Sequence, residues 1–333
     1  MVRVDLAATI LPRLEVSEIS AAMPHMALTL VQGSFGKTTL CHDPRAAPGE
    51  NQRRANRLRE CVDHVRWQAR LVSPRRVLVV TYKDCEAAFA GIPGVEVAHF
   101  NAIAGLDIYR DVALLIVIGR PLPPSLALHP MVGGFFSIEP EGTYEKVLRS
   151  VPMRDGTERS IKVTQHQDPH AEILRAAICD DEIIQAIGRG RGVNRTANIP
   201  LQVQVLADVA LPLLHDRVIA WESIVPDVVQ RMLMAGIAVD SPADAALLHP
   251  NIFVSSNQAK LVLARTAFKG QNPMYNTYRE MTLKSASYRL GGRGRGWQRA
   301  SWIAGSADAA RHRLEAAVGP VAEWKPEAGG KAW

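Results

Sequence analysis

Three short runs of aliphatic and β-branched residues constrain the fold of this chain more than any other feature: Val77–Thr81 (VLVVT), 112–118 (VALLIVI) and Leu201–Leu206 (LQVQVL). Runs this short and apolar suit strands buried on both faces of a parallel sheet. Residues 26–31 and 95–99 are weaker strand candidates. Between them lie helical stretches, 51–71, where Leu58, Cys61, Val62 and Val65 recur at helical spacing, and 171–187. Strands alternating with helices predict an α/β layer architecture. The segment 121–140, with its prolines and Gly133-Gly134, reads as a long functional or mobile loop.

After Pro212 the pattern changes. Residues 224–235 and 241–248 read as short helices, and Ser255 or Ser256 is a suitable N-cap for a third helix reaching about residue 268. Residues 281–290 and 297–304 alternate as strands around the tip GGRGRG, and Ala307–Val318 reads as a final helix. Three helices followed by a basic-tipped hairpin follow the order of a winged-helix module. A chain of 333 residues accommodates two domains, expected at 1–215 and 216–333.

Charge follows the same division. Residues 251–333 carry 13 Lys and Arg against 5 Asp and Glu, a net +8, whereas the first 250 carry −2. A basic C-terminal quarter on a near-neutral body points to a polyanion partner, or to no more than a solvated basic face. No apolar stretch is long enough to span a bilayer, and the N-terminus lacks the pattern of a signal peptide. Cys41, Cys61, Cys85 and Cys179 are scattered without a CxxC pair, as expected of reduced, buried thiols in a cytoplasmic protein.

The segment 185–195 (QAIGRGRGVNR) delivers three arginines among three glycines from the end of a helical stretch. Arginine presents a planar fork of donors suited to phosphate oxygens, and neighbouring glycines let the backbone approach closely. Gln185, Gly188 and Arg189 resemble motif VI of superfamily 2 helicases, Gln-x-x-Gly-Arg-x-x-Arg. The last arginine of that motif falls on Gly192, with Arg191 and Arg195 on either side, so either could substitute. Ala104-Gly105-Leu106-Asp107-Ile108 ahead of VALLIVI and Gly119-Arg120-Pro121 resembles motif V, with Ala104 where the family commonly has arginine. The strand ending in Thr81 resembles motif IV. The three segments follow in the family's order, about 25 and 80 residues apart, and the resemblance covers about residues 8–210. The phrasing HFNAIAGLD…VIGRP and QAIGRGRGVNR is most similar to helicase-type proteins of bacterial mobile elements and prophages.

That resemblance implies a RecA-like sheet with helices on both faces, the second such domain of a helicase. It implies that Arg189 with Arg191 or Arg195 acts as arginine fingers toward ATP, with Gln185 as a further catalytic residue. Gly105, Asp107 and Gly188 would shape the nucleotide cleft. Thr81 and His99, with Arg289, Arg293, Arg295 and Arg299 of the basic hairpin, would hold nucleic acid, with DNA favoured over RNA. ATP and Mg would be held by a P-loop-bearing helicase domain on a neighbouring chain, and no membrane is involved. A start at Met1 without the ATP-binding half implies a split gene, a truncated reading frame or a two-chain enzyme. The alternative is a non-catalytic DNA-binding protein that keeps a helicase-like scaffold.

The chain's one P-loop candidate, Gly33-Ser34-Phe35-Gly36-Lys37-Thr38-Thr39, starts two residues late for Gly-x4-Gly-Lys-Ser/Thr and leads into a proline-bearing segment. It reads better as a turn after a strand, although a free-standing nucleotide site on Lys37 is the third reading. His166, Asp168 and His170 are spaced as metal ligands can be, but without a third well-placed ligand a solvated loop is the expectation and no metal is assigned. Tyr275 and Tyr278 could stack on bases or cap a small core.

Overall fold

The computed structural model describes residues 6–8, 11, 13, 15, 21–103, 108–266, 277–292 and 296–327. Two compact units divide the chain, Met1–Val225 and Pro226–Trp333. The first runs β1 (Met26–Gln32), α1 (Lys37–Leu40), α2 (Pro48–Val72), β2 (Val77–Thr81), α3 (Lys83–Glu86), β3 (Val95–His99) and β4 (Leu114–Ile118). It continues with α4 (Ser125–Phe136), β5 (Tyr144–Pro152), β6 (Glu158–His166), α5 (Pro169–Gly188), β7 (Leu201–Leu206) and β8 (Arg217–Ala220). Residues 216–225, beyond the boundary expected at 215, include the edge strand β8.

Six strands form one parallel sheet in the order β3-β2-β4-β7-β1-β8, flanked by helices. Every residue of β2 and β4 is buried, which is why their sequences show no polar alternation. Each fully buried Leu, Ile or Val contributes on the order of 1.5–3 kcal/mol of transfer free energy. Helix α2 buries Cys61, Val62, Val65, Ala69 and Val72 along one face. Helix α5 starts at the N-cap Asp168, whose carboxylate accepts from the backbone N–H groups of His170 and Ala171.

Two stretches depart from the sequence expectation. Segment 121–140 is not a loop, since residues 125–136 form α4, closed by Ser137 in the left-handed region at φ 56°. Its Leu128 and Val132, one turn apart, pack with Ala171 and Leu174 of α5. Tertiary burial thus overrides the poor helix propensities of Pro130, Gly133 and Gly134. Residues 144–166 form an unanticipated antiparallel ribbon, β5–β6. Its turn region is fastened to β1: Arg154 donates to Asp216 Oδ1 at 2.7 Å and to the Met26 carbonyl at 2.9 Å, while Asp216 Oδ2 accepts the Leu28 N–H at 2.7 Å.

The second unit runs α6 (Val228–Met234), β9 (Ala238–Val239), α7 (Pro242–Leu248), α8 (Ser256–Leu263), β10 (Thr277–Tyr278) and β11 (Met281–Thr282). It ends with β12 (Lys284–Leu290), β13 (Gln298–Trp302), α9 (Ala307–Val318) and β14 (Val321–Pro326). Its four-stranded antiparallel sheet has the order β14-β12-β13-β9. Side-chain caps fix the helix starts: Ser241, Ser255 and Ser306 each accept a backbone N–H, and Asp227 forms a capping box with Gln230. That box starts α6 at Val228, four residues later than the apolar pattern suggests.

Candidate functional site

The arginine-glycine segment lies at the amino-terminal edge of the sheet. Helix α5 ends at Gly188, and Arg189 is its C-cap, its N–H donating to the Ala186 carbonyl at 3.1 Å. Arg191 takes the left-handed conformation at φ 52° and is exposed. Gly192 is buried, and a Cβ there would stand 2.7 Å from Met26 Sδ and 2.8 Å from Met23 Sδ. No arginine fits at position 192 because the entry to β1 occupies that space. Arg195 turns inward: it is 6% exposed, and its Nε donates to the Gly190 carbonyl at 2.7 Å. Desolvation lowers its pKa, opposed by the charge of Asp111. Gln185 and Gly188 are exposed, and Gln185 stands one helical turn before Arg189 on the same face. Arg189 and Arg191 therefore lie nearer solvent, while Arg195 braces the turn from inside. Gly105 and Asp107 lie outside the described residues.

At the opposite, carboxyl-terminal edge the loops after five strands line a cleft of about 580 Å³. Tyr82 ties its floor together. Its hydroxyl donates to the Arg120 carbonyl at 2.8 Å and accepts from the Arg120 N–H at 2.9 Å, and it lies 3.3 Å from the Phe35 carbonyl. Three loops, following β1, β2 and β4, thus meet at one oxygen. Gly119, at φ 90°, lets the chain leave β4 over the Tyr82 ring. Phe35 packs edge-on against Trp221 at 5.3 Å, and the Arg57 guanidinium lies over both rings at 5.0 Å. This anchors the turn that carries Lys37.

The cleft is lined with charge. Asp208, just past β7, binds Arg120 Nε at 3.1 Å, the Thr164 hydroxyl at 2.8 Å, and Lys146. Arg120 is 4% exposed, so Asp208 neutralises an almost fully buried cation. Lys37 pairs with Asp84 at 2.9 Å, and that hydrogen bond raises the lysine's pKa. Ser34, Thr38, Thr39 and Lys83 complete the polar lining. The sequence predicts a turn after a strand at residues 33–39. The structure places such a turn there, followed by a helix of four residues. Lys37, Tyr82, Arg120, Lys146 and Asp208 were not identified as one site. For Tyr82, Arg120 and Asp208 the signal is a polar residue just past a strand's carboxyl end, where open α/β sheets bind ligands; Lys146 lies within β5 and carries no such mark.

The remaining candidates separate. Thr81 and His99 are register partners at the ends of β2 and β3, on the cleft's edge of the sheet. Thr81 is fully buried and its hydroxyl donates to the Ile118 carbonyl at 3.2 Å, so it serves the sheet. His99 is half-buried, its Nδ1 2.9 Å from the Phe100 carbonyl. In the second unit Arg289 pairs with Glu323 at 3.4 Å, and Arg299 with Glu327 at 3.0 Å and Ser285 at 3.1 Å. Arg293, Arg295 and Tyr275 lie outside the described residues. Tyr278 is buried, its hydroxyl donating to Asp227 Oδ2 at 2.6 Å, which is the core-capping role.

Residues 166–170 are not a solvated loop. His166 is 1% exposed, and its Nδ1 accepts the Asp168 N–H at 3.1 Å. The proton therefore sits on Nε2, which donates to Ser125 Oγ at 2.9 Å. This orientation makes His166 a donor to the serine, not a base for it. Among the described residues no group of His, Cys, Asp and Glu is arranged to hold a metal ion, and no helix is long and apolar enough to cross a membrane. Comparison with family models, with curated proteins and with solved structures finds no match to this chain.

Proposed function

We propose that this chain is the C-terminal half of an ATP-dependent nucleic-acid helicase, a RecA-like unit followed by a winged-helix-like unit. The observation that carries this reading is the outward turn of Arg191 beside the helix-end Arg189, at the sheet edge opposite the carboxyl-terminal cleft. The two edges divide the work. Arginines at the amino edge reach a nucleotide held by a P-loop-bearing domain, with Mg, and stabilise charge on the transferring phosphoryl group. The carboxyl edge faces the nucleic acid. The inward position of Arg195 favours Arg191 as the second finger, with Arg195 holding the turn in shape.

The second unit's order, α6-β9-α7-α8-β12-β13 with β9 paired to β13, supports the winged-helix assignment. It also favours the rival reading, a DNA-binding protein on a helicase-like scaffold. ATPase assays of the full chain with and without the candidate P-loop partner separate the two. The chain alone is expected to show no turnover. With the partner and DNA, turnover is expected to appear and to fall by at least about 100-fold in Arg189→Ala. Turnover at a normal helicase rate by the isolated chain, or partnered turnover indifferent to Arg189→Ala, contradicts the proposal.

A further inference from the structure

The strand order β3-β2-β4-β7-β1-β8 makes the chain reverse its direction of travel across the sheet. From β1 and β2 the chain moves toward the β3 edge, whereas from β4 and β7 it moves toward the β8 edge. Neighbouring strands whose connections diverge open a crevice beyond their carboxyl ends. The pair β2/β4 does so, and the 580 Å³ cleft lies there, lined by residues that follow β1, β2, β3, β4 and β7 together with Lys146 and Thr164 of the ribbon. Its volume lies within the range of roughly 300–1,000 Å³ typical of ligand sites.

The lining chemistry narrows the ligand. Lys37, Lys83, Arg120 and Lys146 face Asp84 and Asp208, an excess of two positive charges. Arg120 is consumed by Asp208, but the side chains of Lys37 and Lys146 are 66% and 51% exposed. Hydroxyls of Ser34 and Thr38 lie exposed on the same turn. Tyr82 and Phe100 are buried, so these two offer no open ring face for a base. Cations and hydroxyls without a stacking platform recognise phosphate, not base identity.

Two observations favour a polymer over a free nucleotide. First, Asp208 is held by Arg120, the Thr164 hydroxyl and Lys146, so it is not open to a nucleotide's metal ion. Second, the cationic lining continues beyond the cleft along the ribbon. Lys162 pairs with Leu148 across β5–β6, and Leu148 shares its face with Lys146 two residues away. Lys162 and Leu148 are both exposed.

We propose that the cleft is a phosphate seat for one nucleic-acid strand, held by Lys37, Lys83 and Lys146 with the Ser34 and Thr38 hydroxyls, and continued by Lys162. The assignment rests on reading the chain as a helicase half, and it names the loops that grip the strand.

The test measures anisotropy of a labelled oligo-dT of about 20 nucleotides with the full chain across a salt series. Lys37→Ala and Lys146→Ala are each expected to weaken binding about 3–10-fold and to flatten the log–log salt slope by about 0.7. Both side chains are exposed, so the variants retain the fold. Unchanged affinity and slope in both variants, with loss on Arg293→Ala and Arg295→Ala, overturns the cleft assignment and moves the strand to the second unit. Binding of ATP that depends on Lys37, without such dependence for oligo-dT, assigns the seat to a nucleotide and overturns the strand. The Arg189-dependent ATPase with its partner reports separately on the helicase reading, because Lys37 and Lys146 lie at the other edge of the sheet.

Discussion

Cys41 Sγ lies 3.2 Å from Cys85 Sγ, joining the turn after β1 to the turn after β2. Both thiols are buried, and Arg54 holds the first turn in place by donating to the Cys41 carbonyl at 3.0 Å. The hydrogen bond between the thiols lowers the pKa of Cys41 and raises that of Cys85. The contact favours a single thiolate in the pair. Peroxide is expected to oxidise that thiolate to a sulfenic acid, which its neighbour resolves to a disulfide with loss of water. The other two thiols, Cys61 and Cys179, are pushed up to about 12 by burial and stay reduced. Thiol titration under denaturing conditions should fall from four to two after mild peroxide, with peptide mapping locating a 41–85 link. Loss of Cys61 or Cys179 first would contradict this ranking.

Gly119 gives a sharper structural test. At φ 90° it adopts a conformation that L side chains rarely take, and a Cβ would stand 2.4 Å from the Tyr82 ring. Gly119→Ala must strain the backbone and displace the tyrosine that joins three cleft loops. A loss of about 2 kcal/mol in urea unfolding is expected. Gly134→Ala is the control, because nothing lies within 4 Å of a Cβ there, and helix propensity favours alanine at an interior helical position. If both substitutions cost the same, the contact with Tyr82 has no consequence.

What could be read from sequence follows from where each signal resides. The strands β2, β3 and β7 fall on the residues their patterns marked: burial on both faces leaves β2 apolar as far as Thr81, β7 alternates with Gln202 exposed, and the half-buried β3 keeps its β-branched Val95 and Val97. Helix α4 was hidden because its evidence is tertiary, Leu128 and Val132 resting on α5. The ribbon β5–β6 carries a local signal in Asp155-Gly156 between the segments 147–151 and 159–163, a turn dipeptide that marks hairpins. At the candidate site the helix-end arginines were visible as a local cluster. Their orientations were not, because Met23 and Met26 exclude a side chain at position 192 and Arg195 closes on Gly190. The cleft was illegible for a related reason. Lys37, Tyr82, Arg120, Lys146 and Asp208 come from five separate segments that only the strand order brings together.

Asp208 supplies the only carboxylate bound to the guanidinium of Arg120 among the described residues. Removing it leaves a cation that is 4% exposed without its partner, an arrangement that costs about 3–5 kcal/mol when fully buried. Asp208→Ala is expected to approach the lower figure, because the aspartate side chain is itself 19% exposed. Lys146→Ala, which removes an exposed cation from the same carboxylate, should change stability by less than about 1 kcal/mol. Chemical unfolding of the two variants compares them directly. Equal losses would mean that Arg120 finds another acceptor.

Stability should also fall on the acid side of neutrality. His64, His215 and His249 have pKa values lowered by burial, which outweighs the opposing hydrogen bond each ring makes: His64 to Gln204, His215 to the Pro152 carbonyl and His249 to the Ile237 carbonyl. In the unfolded chain these rings take up protons near pH 6.5, whereas in the folded chain they resist doing so. The unfolded state therefore binds more protons as the pH drops below about 6.5, and the folded state loses stability until its own lower pKa values are reached. Above that window the contribution is complete and the profile levels off. Urea unfolding at pH 8, 6.5 and 5.5 should give a shallow loss between the first two, because the unfolded rings are half-protonated near pH 6.5, and a steeper decline to the third. Replacing His64, which packs at 5.4 Å against Trp221, by Gln should lower stability at pH 8 and shrink the acid decline, since glutamine does not titrate. A decline of unchanged size in His64→Gln would assign the acid sensitivity to the other two rings or to carboxylates.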